Sequence, residues 1–144
     1  MAKEKLLVSA CFLSDGYKYS GGSNYNLDIV QLQDKYDFVL ICPEVFGGLT
    51  VPRNPSEIVG DKVLSNAGVD VTYEFNKGAL KALELAKENN CKKALLKAKS
   101  PSCGKNLIYD GTFTHTITKG SGVAVKLLEA NGITVFTEEE LYKL

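Results

Sequence analysis

Short apolar runs alternate along the chain with segments that are polar or amphipathic. Four of these runs are rich in β-branched and large aliphatic residues, and they predict strands at residues 6–8, 37–41, 94–96 and 133–136. Consecutive rather than alternating positions are apolar, so both faces of the resulting sheet should be covered, as in parallel sheets. The pattern predicts an α/β fold with a mainly parallel sheet of about four to five strands flanked by helices.

The segments between the predicted strands contain helical patterns. In the clearest one, residues 72–89, apolar residues recur at helical spacing and charged residues lie largely off that stripe, with Thr72 as the expected N-cap. Residues 27–35 and 122–130 predict further helices, and residues 138–144 predict one more short helix. With helices between successive strands, the expected architecture is a Rossmann-like three-layer fold.

One segment departs from this alternation of strands and helices. Residues 62–71 carry apolar residues on both sides of a turn that contains Gly68, which predicts a small β-hairpin inserted before the long helix. The chain shows no internal repeat, low-complexity tract or linker-like change in composition. Its 144 residues are close to the usual size of one domain, so we expect a single domain over residues 1–144.

Charge narrows the range of partners. The 17 basic and 17 acidic side chains cancel, so the chain lacks the excess positive charge by which proteins bind nucleic acid. A small-molecule substrate is therefore favoured over a nucleic acid such as tRNA. The apolar run at residues 6–10 is too short for a signal-peptide core or a membrane span, and we expect a cytoplasmic protein without membrane contact.

Three of the four cysteines follow predicted strands. Cys11 and Cys42 come directly off strand ends, and Cys103 lies inside the loop after the third strand. Because the carboxyl ends of strands in open α/β sheets collect ligands, these thiols can converge on one metal ion or cluster. The same spacing also fits buried cysteines that only fill the core. Cys91 has no such loop beside it, and we interpret it as structural.

The loops after the three strands are unusually rich in Gly, Ser, Pro and Asn. They span residues 14–26, 43–55 and 99–106. Loops placed side by side at one edge of a parallel sheet form a pocket, and their irregular backbone offers N–H groups to a ligand. A binding site is therefore expected there.

Few other side chains in this region carry chemistry. Glu44 follows Cys42 closely and is a candidate proton-transfer group, although a surface glutamate there would be ordinary. Arg53, the only arginine, lies between two prolines, where it can direct its guanidinium at an anion or carbonyl or form a structural salt bridge. His115, the only histidine, has no second ligand-type neighbour, and we expect a solvated side chain.

A series of short motifs is spread over nearly the whole chain. The motifs are SACFL (9–13), GGSN (21–24), CPEVFGGL (42–49), PR (52–53), DVTYEF (70–75), KSPSCG (99–104) and IYDGTF (108–113). In their order and spacing they resemble the bacterial thiouracil desulfidase family, which was long classified as a domain of unknown function. Any one motif would be weak, but together they identify the chain as similar to that family.

The resemblance implies a cofactor and a reaction. Members of that family with a known activity hold a [4Fe-4S] cluster with three cysteines and remove sulfur from 2-thiouracil without net redox change. It therefore implies Cys11, Cys42 and Cys103 as cluster ligands. Many relatives carry a further cysteine six residues after the first, and Tyr17 occupies that position here.

The implied chemistry assigns roles to the polar residues of the loops. A cluster held by three thiolates leaves one iron free, and coordination of a soft thiocarbonyl sulfur there would polarise the C–S bond for attack by water. Glu44 is the predicted general base for that water. Ser100 and Ser102 are expected to donate hydrogen bonds to the developing oxyanion or to orient the base.

The expected substrate is 2-thiouracil or a related thiolated nucleobase or nucleoside, with the carbonyl compound and hydrosulfide as products. We expect Ser23, Asn24 and Arg53 to contact it. Two other classes of protein stay open. One is a metal-free enzyme with Cys11 or Cys103 as the nucleophile. The other is a non-catalytic module that binds a small molecule or metal through the Gly- and Ser-rich loops.

Overall fold

A computed structural model describes residues 3–144 of the chain. The strands are β1 (Glu4–Ser9), β2 (Tyr36–Ile41), β3 (Ser56–Val59), β4 (Lys62–Ser65), β5 (Lys93–Leu96), β6 (Leu107–Tyr109), β7 (Ile117–Lys119) and β8 (Thr134–Thr137). The α-helices are α1 (Leu27–Gln31), α2 (Pro43–Phe46), α3 (Thr72–Glu88) and α4 (Val123–Ala130). Turns of 3-10 helix lie at Ala10–Phe12, Leu32–Asp34 and Glu138–Lys143.

Four of the strands form one parallel sheet in the order β2-β1-β5-β8. They are the strands that the apolar runs predict, so the predicted α/β fold with a parallel sheet and flanking helices is confirmed. The chain adds β2 on one side of β1 and β5 on the other. This reversal creates a topological switch point at the carboxyl edge of the sheet, which is where ligands bind in folds of this class.

Buried apolar side chains cover both faces of the sheet. On one face Leu7 and Val135 belong to a buried cluster with Ala82 of α3 and Leu128 of α4. On the other face a second buried cluster extends to α1 and to the C-terminal 3-10 turn. Full burial of one large aliphatic side chain stabilises a fold by about 1.5–3 kcal/mol. The covering on both faces explains why the strands are continuous apolar runs.

The predicted N-cap of the long helix is wrong. Val71 occupies the N-cap position, and Thr72 is the first residue of α3. The Thr72 hydroxyl oxygen instead accepts a hydrogen bond from the Val63 N–H at 2.9 Å. Asp70 Oδ1 accepts the Thr72 N–H at 2.9 Å and so satisfies one of the free N–H groups at the start of the helix.

The predicted small β-hairpin before the long helix is present, and β4 has a second antiparallel partner that was not predicted. This partner is β3, which precedes β4 and is joined to it through Gly60 and Asp61. After the turn at Gly68 the chain also pairs with β4, through a bridge between Leu64 and Asp70. Two backbone hydrogen bonds flank this bridge: the Ser65 N–H donates to the Val69 carbonyl oxygen and the Val71 N–H to the Val63 carbonyl oxygen, both at 2.9 Å.

A second antiparallel hairpin, β6 with β7, has no counterpart among the predicted elements. Both of its strands are short, and β7 is exposed throughout. The loop between them, residues 110–116, returns to the candidate site described below.

Two further predictions concern the chain as a whole. Within residues 3–144 no helix has both the length and the apolar character needed to cross a membrane. The prediction of one domain over residues 1–144 stays a prediction.

Candidate functional site

Three cysteines line one cavity at the carboxyl edge of the parallel sheet. Cys11 lies in the 3-10 turn after β1, Cys42 lies between β2 and α2, and Cys103 lies in the turn after β5. The cavity has a volume of about 450 Å³. Cys91 is not among the residues that line this cavity; it lies in the buried cluster beneath α3 and α4, to which Cys103 also belongs. The structure therefore separates the three motif cysteines from the fourth.

Helix α2 positions Cys42 and Glu44. Pro43 occupies the start of this helix, where its missing N–H removes no helical hydrogen bond. The backbone of α2 lies directly against α3 at Gly78, where a Cβ atom would overlap the Pro43 carbonyl oxygen. This close approach of two backbones fixes the direction from which Cys42 and Glu44 enter the cavity.

The loop that carries Cys103 is tied to the start of α4. The Gly122 N–H donates to the Gly104 carbonyl oxygen at 2.7 Å, and the Ala124 N–H donates to the Ser102 carbonyl oxygen at 3.0 Å. A Cβ atom at Gly122 would lie 2.5 Å from the Ser102 carbonyl oxygen, which is closer than such atoms pack. The loop carbonyls thus satisfy free N–H groups of the helix, and the helix holds Ser102 and Cys103 in place.

Polar side chains direct hydrogen bonds at two of the thiols. Asn24 Nδ2 donates to Cys11 Sγ at 3.4 Å. Cys103 Sγ lies 3.7 Å from the Ser9 hydroxyl, which can donate to it, and 3.6 Å from the Ser102 hydroxyl, whose proton is directed at Glu44. Hydrogen bonds to sulfur stabilise metal-bound thiolates and tune iron–sulfur clusters. The surroundings of these two sulfurs are therefore suited to the metal-binding form of cysteine.

Burial has the opposite effect on the thiols of the metal-free protein. Desolvation raises the pKa of Cys11 and of Cys42, and it raises the pKa of Cys103 to about 12. The hydrogen bonds from Asn24 to Cys11 and from Ser9 to Cys103 lower the pKa of these thiols without overcoming desolvation. Near neutral pH these thiols are protonated, and a metal that binds them must displace their protons.

A chain of hydrogen bonds ends at Glu44. Its Oε1 accepts from Arg53 Nε at 3.1 Å, and its Oε2 accepts from the Ser102 hydroxyl at 2.9 Å. Ser100 Oγ lies 2.9 Å from Ser102 Oγ, and it accepts the N–H groups of Ser102 and Cys103 at 3.1 and 2.8 Å. Because a hydroxyl has one proton and Ser102 gives its proton to Glu44, Ser100 is the donor to Ser102. The hydrogen bonds from Ser100 to Ser102 and from Ser102 to Glu44 therefore all point towards the carboxylate.

Arg53 joins two of the loops that surround the cavity. Besides its ion pair with Glu44, its Nη2 donates to the Tyr17 carbonyl oxygen at 3.0 Å and its Nη1 donates to the Thr50 carbonyl oxygen at 3.2 Å. Only 9% of the side chain is exposed. The structural salt bridge that the sequence left open is present, and the guanidinium also lines the cavity.

The chain as a whole matches a known family. The family described as 2-thiouracil desulfurase matches residues 6–140. The chain belongs to this family. Membership in the 2-thiouracil desulfurase family confirms the resemblance that the seven motifs carry.

Two relatives illustrate how far the likeness to the 2-thiouracil desulfurase family extends. A Bacillus subtilis (strain 168) protein described as uncharacterized protein YbbK is 39% identical over 146 residues, which cover 94% of this chain and 97% of the relative. A solved structure described as the [4Fe-4S]-dependent thiouracil desulfidase TudS is 42% identical. The match covers 99% of this chain and 95% of the chain in the solved structure, with a TM-score of 0.91. The whole fold is therefore shared.

The remaining predicted residues differ in whether they line the cavity. Asn24 lines the cavity, and its amide also supports Cys11. Ser23 is not among the residues that line the cavity, and its hydroxyl oxygen accepts the Tyr25 N–H at 3.4 Å. His115 is exposed, as expected, but it lines the cavity as well. Substrate contact by Ser23, Asn24 and Arg53 stays a prediction.

Sequence reasoning missed several residues of the cavity wall. Lys97 directly follows β5 at the switch point and pairs with Glu138 at 2.7 Å. Its position after a central strand was a signal that could have found it. Glu57 and Phe113 also line the cavity. They come from β3 and from the loop between β6 and β7, which the sequence did not predict as elements.

The arrangement of the thiols fits the cluster that the family relative depends on. Within residues 3–144 no group of three Cys, His, Asp or Glu side chains is placed to hold a single metal ion. A cluster distributes its thiolates over several irons, so its cysteines need not surround one point. Three thiols on one cavity, two of them beside hydrogen-bond donors, supply the donor set of such a cluster.

Proposed function

We propose that the protein is a [4Fe-4S]-dependent desulfidase that acts on 2-thiouracil or a related thiolated nucleobase or nucleoside. The reaction exchanges a C=S group for C=O, consumes water and releases hydrosulfide without net redox change. One observation carries the proposal: three motif cysteines and the hydrogen-bonded Glu44 line the same cavity at the switch point of a sheet shared with a thiouracil desulfidase.

Cys11, Cys42 and Cys103 would hold the cluster. When bound by three thiolates, a [4Fe-4S] cluster supplies one open iron as a Lewis acid for a soft sulfur ligand. The protein contributes the placement of the thiolates and the donors from Asn24 and Ser9 that stabilise their charge. Each thiol releases a proton when the cluster is loaded.

Glu44 is the proposed general base. Ser102 donates to its Oε2, and Arg53 holds its Oε1, so the carboxylate is fixed at the cavity wall. A water between Glu44 and the thiocarbonyl carbon would give its proton to the carboxylate as the C–O bond forms. Ser100, whose oxygen accepts two backbone N–H groups, donates to Ser102 and keeps the chain oriented towards Glu44. Both serine hydroxyls use their proton within this series of hydrogen bonds. The geometry therefore supports a role for the two serines in orienting Glu44 and not in donating to the oxyanion.

A metal-free cysteine nucleophile receives less support. The thiolate is the nucleophilic form, and burial raises the pKa of Cys11 and raises that of Cys103 to about 12. The neighbours that lower these pKa values, such as Asn24 beside Cys11 and Ser9 beside Cys103, do not overcome the effect of burial. Within residues 3–144, Lys97 is the cation with an influence on Cys11, and its charge is engaged by Glu138.

The ligand assignment is tested by anaerobic reconstitution of the protein with iron and sulfide, followed by iron and acid-labile sulfide analysis and an absorption spectrum. Replacement of Cys11, Cys42 or Cys103 by Ser should abolish cluster binding. The matched control is Cys91→Ser, a cysteine buried away from the cavity, which should bind a full cluster. Loss of the cluster in the control with retention in one of the other three would contradict the assignment.

The same preparations separate the competing functions. Turnover of 2-thiouracil by protein without iron would favour a cysteine nucleophile. Binding of uracil-type ligands without turnover of their thio-analogues by cluster-loaded protein would favour a binding module. Release of hydrosulfide only by cluster-loaded protein supports the desulfidase.

A further inference from the structure

A buried carboxylate outside the proposed chemistry also lines the cavity. Glu57 lies on β3, only 7% of it is exposed, and it belongs to the cavity wall. A charged side chain is seldom buried to this degree unless it has partners. The partners of Glu57 therefore indicate what it does.

One oxygen of Glu57 is occupied by backbone. Its Oε1 accepts the N–H of Gly111 at 2.9 Å and the N–H of Phe113 at 3.2 Å. Gly111 lies against β3 so closely that a Cβ atom would be 2.6 Å from the Ile58 carbonyl oxygen. No donor within residues 3–144 reaches the second oxygen, Oε2. Glu57 thus fastens the loop at residues 110–116 with one oxygen and keeps the other free.

The fastened loop is conformationally unusual. Phe113 and His115 adopt φ of 58° and 60°, a region that non-glycine residues rarely occupy, and both line the cavity. On alternate positions the hydroxyls of Thr112, Thr114 and Thr116 form a ladder with separations of 2.6 and 2.8 Å. Backbone conformations of this kind cost free energy and persist only where the surrounding structure holds them. We therefore interpret the loop as a preformed wall of the cavity.

The cations of the cavity wall do not satisfy the free oxygen. Arg53 uses its donors on Glu44 and on two backbone carbonyls, and Lys97 is paired with Glu138. Lys18 also lines the cavity, and within residues 3–144 it forms no ion pair with Glu57. Glu57 Oε2 is not a buried unsatisfied atom and remains open to the cavity. A ligand that displaces water from this oxygen without supplying a donor would leave it unpaired at a cost in free energy. The natural ligand of this cavity should therefore carry an N–H or O–H group.

We infer that Glu57 recognises the substrate, with Oε2 accepting a hydrogen bond from a ring N–H of the thiolated nucleobase while Phe113 forms the wall beside the ring. This inference rests on the proposed function. Glu57 would act in substrate binding and specificity and not in the chemical step, because the loop backbone holds its Oε1 in place and its Oε2 accepts the hydrogen bond from the ring. Ring N–H groups flank the thiocarbonyl of 2-thiouracil and remain in the product uracil, so both molecules should be bound by the same contact.

Glu57→Gln tests the inference with little change in shape. Because two N–H groups require an acceptor at the Oε1 position, the amide oxygen must occupy it, and the NH₂ group then replaces Oε2 at the cavity. The loop stays fastened, but an acceptor becomes a donor. Hydrogen exchange at Gly111 and Phe113 should stay as slow as in the wild type, whereas Glu57→Leu, which removes both acceptors, should accelerate it.

The decisive measurement is calorimetric titration of uracil into the wild-type holoenzyme and into Glu57→Gln. A hydrogen bond to a charged group contributes about 1.5–3 kcal/mol, so the affinity should fall about tenfold to hundredfold in the variant. The control is Glu84→Gln on the exposed side of α3, which should bind uracil as the wild type does. Methylation of one ring nitrogen of 2-thiouracil should reduce kcat/KM for the wild type by a similar factor and should have much less effect on Glu57→Gln.

Equal affinity of the wild type and Glu57→Gln for uracil would overturn the inference, as would failure of the wild type to bind uracil. The result is distinguishable from failure of the proposed function, because uracil binding is read without turnover. A wild type that binds uracil through Glu57 but releases no hydrosulfide from 2-thiouracil would refute the desulfidase and support the contact.

Discussion

Removal of the Cys103 thiol should change how the stability of the metal-free protein depends on pH. Burial raises the pKa of this thiol from 9.0 to about 12. The folded protein therefore holds the proton more tightly than the unfolded chain does. Because the unfolded state loses its proton first, the free energy of unfolding should fall as the pH rises through and above the ordinary thiol pKa.

The size of the effect follows from the shift. One pKa unit corresponds to about 1.36 kcal/mol, so the complete contribution of Cys103 is about 4 kcal/mol, lost between its unfolded and folded pKa. Between pH 8 and pH 10.5 the linkage relation gives a loss of about 2 kcal/mol. The Cys103→Ala variant should lack this part of the pH dependence. Cys11 and Cys42 also have raised pKa values, but they are present in both proteins and their contributions cancel in the difference.

The assay is urea unfolding, followed by circular dichroism, of wild type and Cys103→Ala in chelator and reductant over that pH range. The free energy of unfolding of the wild type should fall by about 2 kcal/mol more than that of the variant. Cluster-loaded wild type, in which Cys103 would be a thiolate, should not show the additional fall. Parallel pH dependences of the metal-free wild type and variant would refute the reasoning, because they would mean that the thiol is not desolvated.

Three further predictions follow from the site. Glu44→Gln should retain the cluster spectrum and lose activity by about 100-fold to 10,000-fold, the range for a general base, and undiminished kcat would remove Glu44 from the mechanism. Arg53→Lys keeps the charge but loses the planar fork that joins two loops, so it should lower kcat while iron content stays unchanged; activity equal to the wild type would contradict the cross-linking role. Gly122→Ala should cost about 1–3 kcal/mol of stability in urea unfolding and reduce cluster loading, because the new Cβ collides with the Cys103 loop. The control is Gly132→Ala, where the new Cβ meets open space but the φ of 82° strains the backbone: it should lose stability without a collision at the Cys103 loop and should load normally. Equal loading of the two variants would contradict the prediction.

The parts of the fold that could be predicted from the sequence are those with a local signal. A parallel strand covered on both faces must be apolar at consecutive positions, and the four runs at β1, β2, β5 and β8 have that property. The convergence of the loops follows from the same elements, because parallel strands end at one edge. Amphipathic spacing likewise gave α3 to within one residue of its observed start.

The hairpins show where local signals are insufficient. Gly60-Asp61 is a two-residue hairpin signal as good as the turn at Gly68, and both turns bring antiparallel segments together, but the longer strand pairing forms across Gly60-Asp61. Strands β6 and β7 are three residues each and mostly exposed, so they lack the apolar pattern on which a strand prediction depends.

The same limit applies to the site. The motif cysteines were found because each lies at the end of a predicted strand or in the loop that follows it, whereas Glu57 meets Gly111 across 54 residues of sequence. Nothing near Glu57 in the chain distinguishes it from the other acidic residues. The link between Glu44 and Ser102 spans 58 residues and was expected only because the family resemblance placed both in one site.

The central claim is most directly tested by anaerobic turnover of 2-thiouracil in ¹⁸O-labelled water by cluster-loaded protein, with no added oxidant or reductant. Mass spectrometry of the pyrimidine and an assay of hydrosulfide would follow both products. A [4Fe-4S]-dependent desulfidase should form uracil with one ¹⁸O atom and release one equivalent of hydrosulfide for each molecule formed, and the metal-free protein should show no turnover. Unlabelled uracil, a requirement for a reductant, or intact 2-thiouracil after incubation with fully loaded protein would contradict this claim.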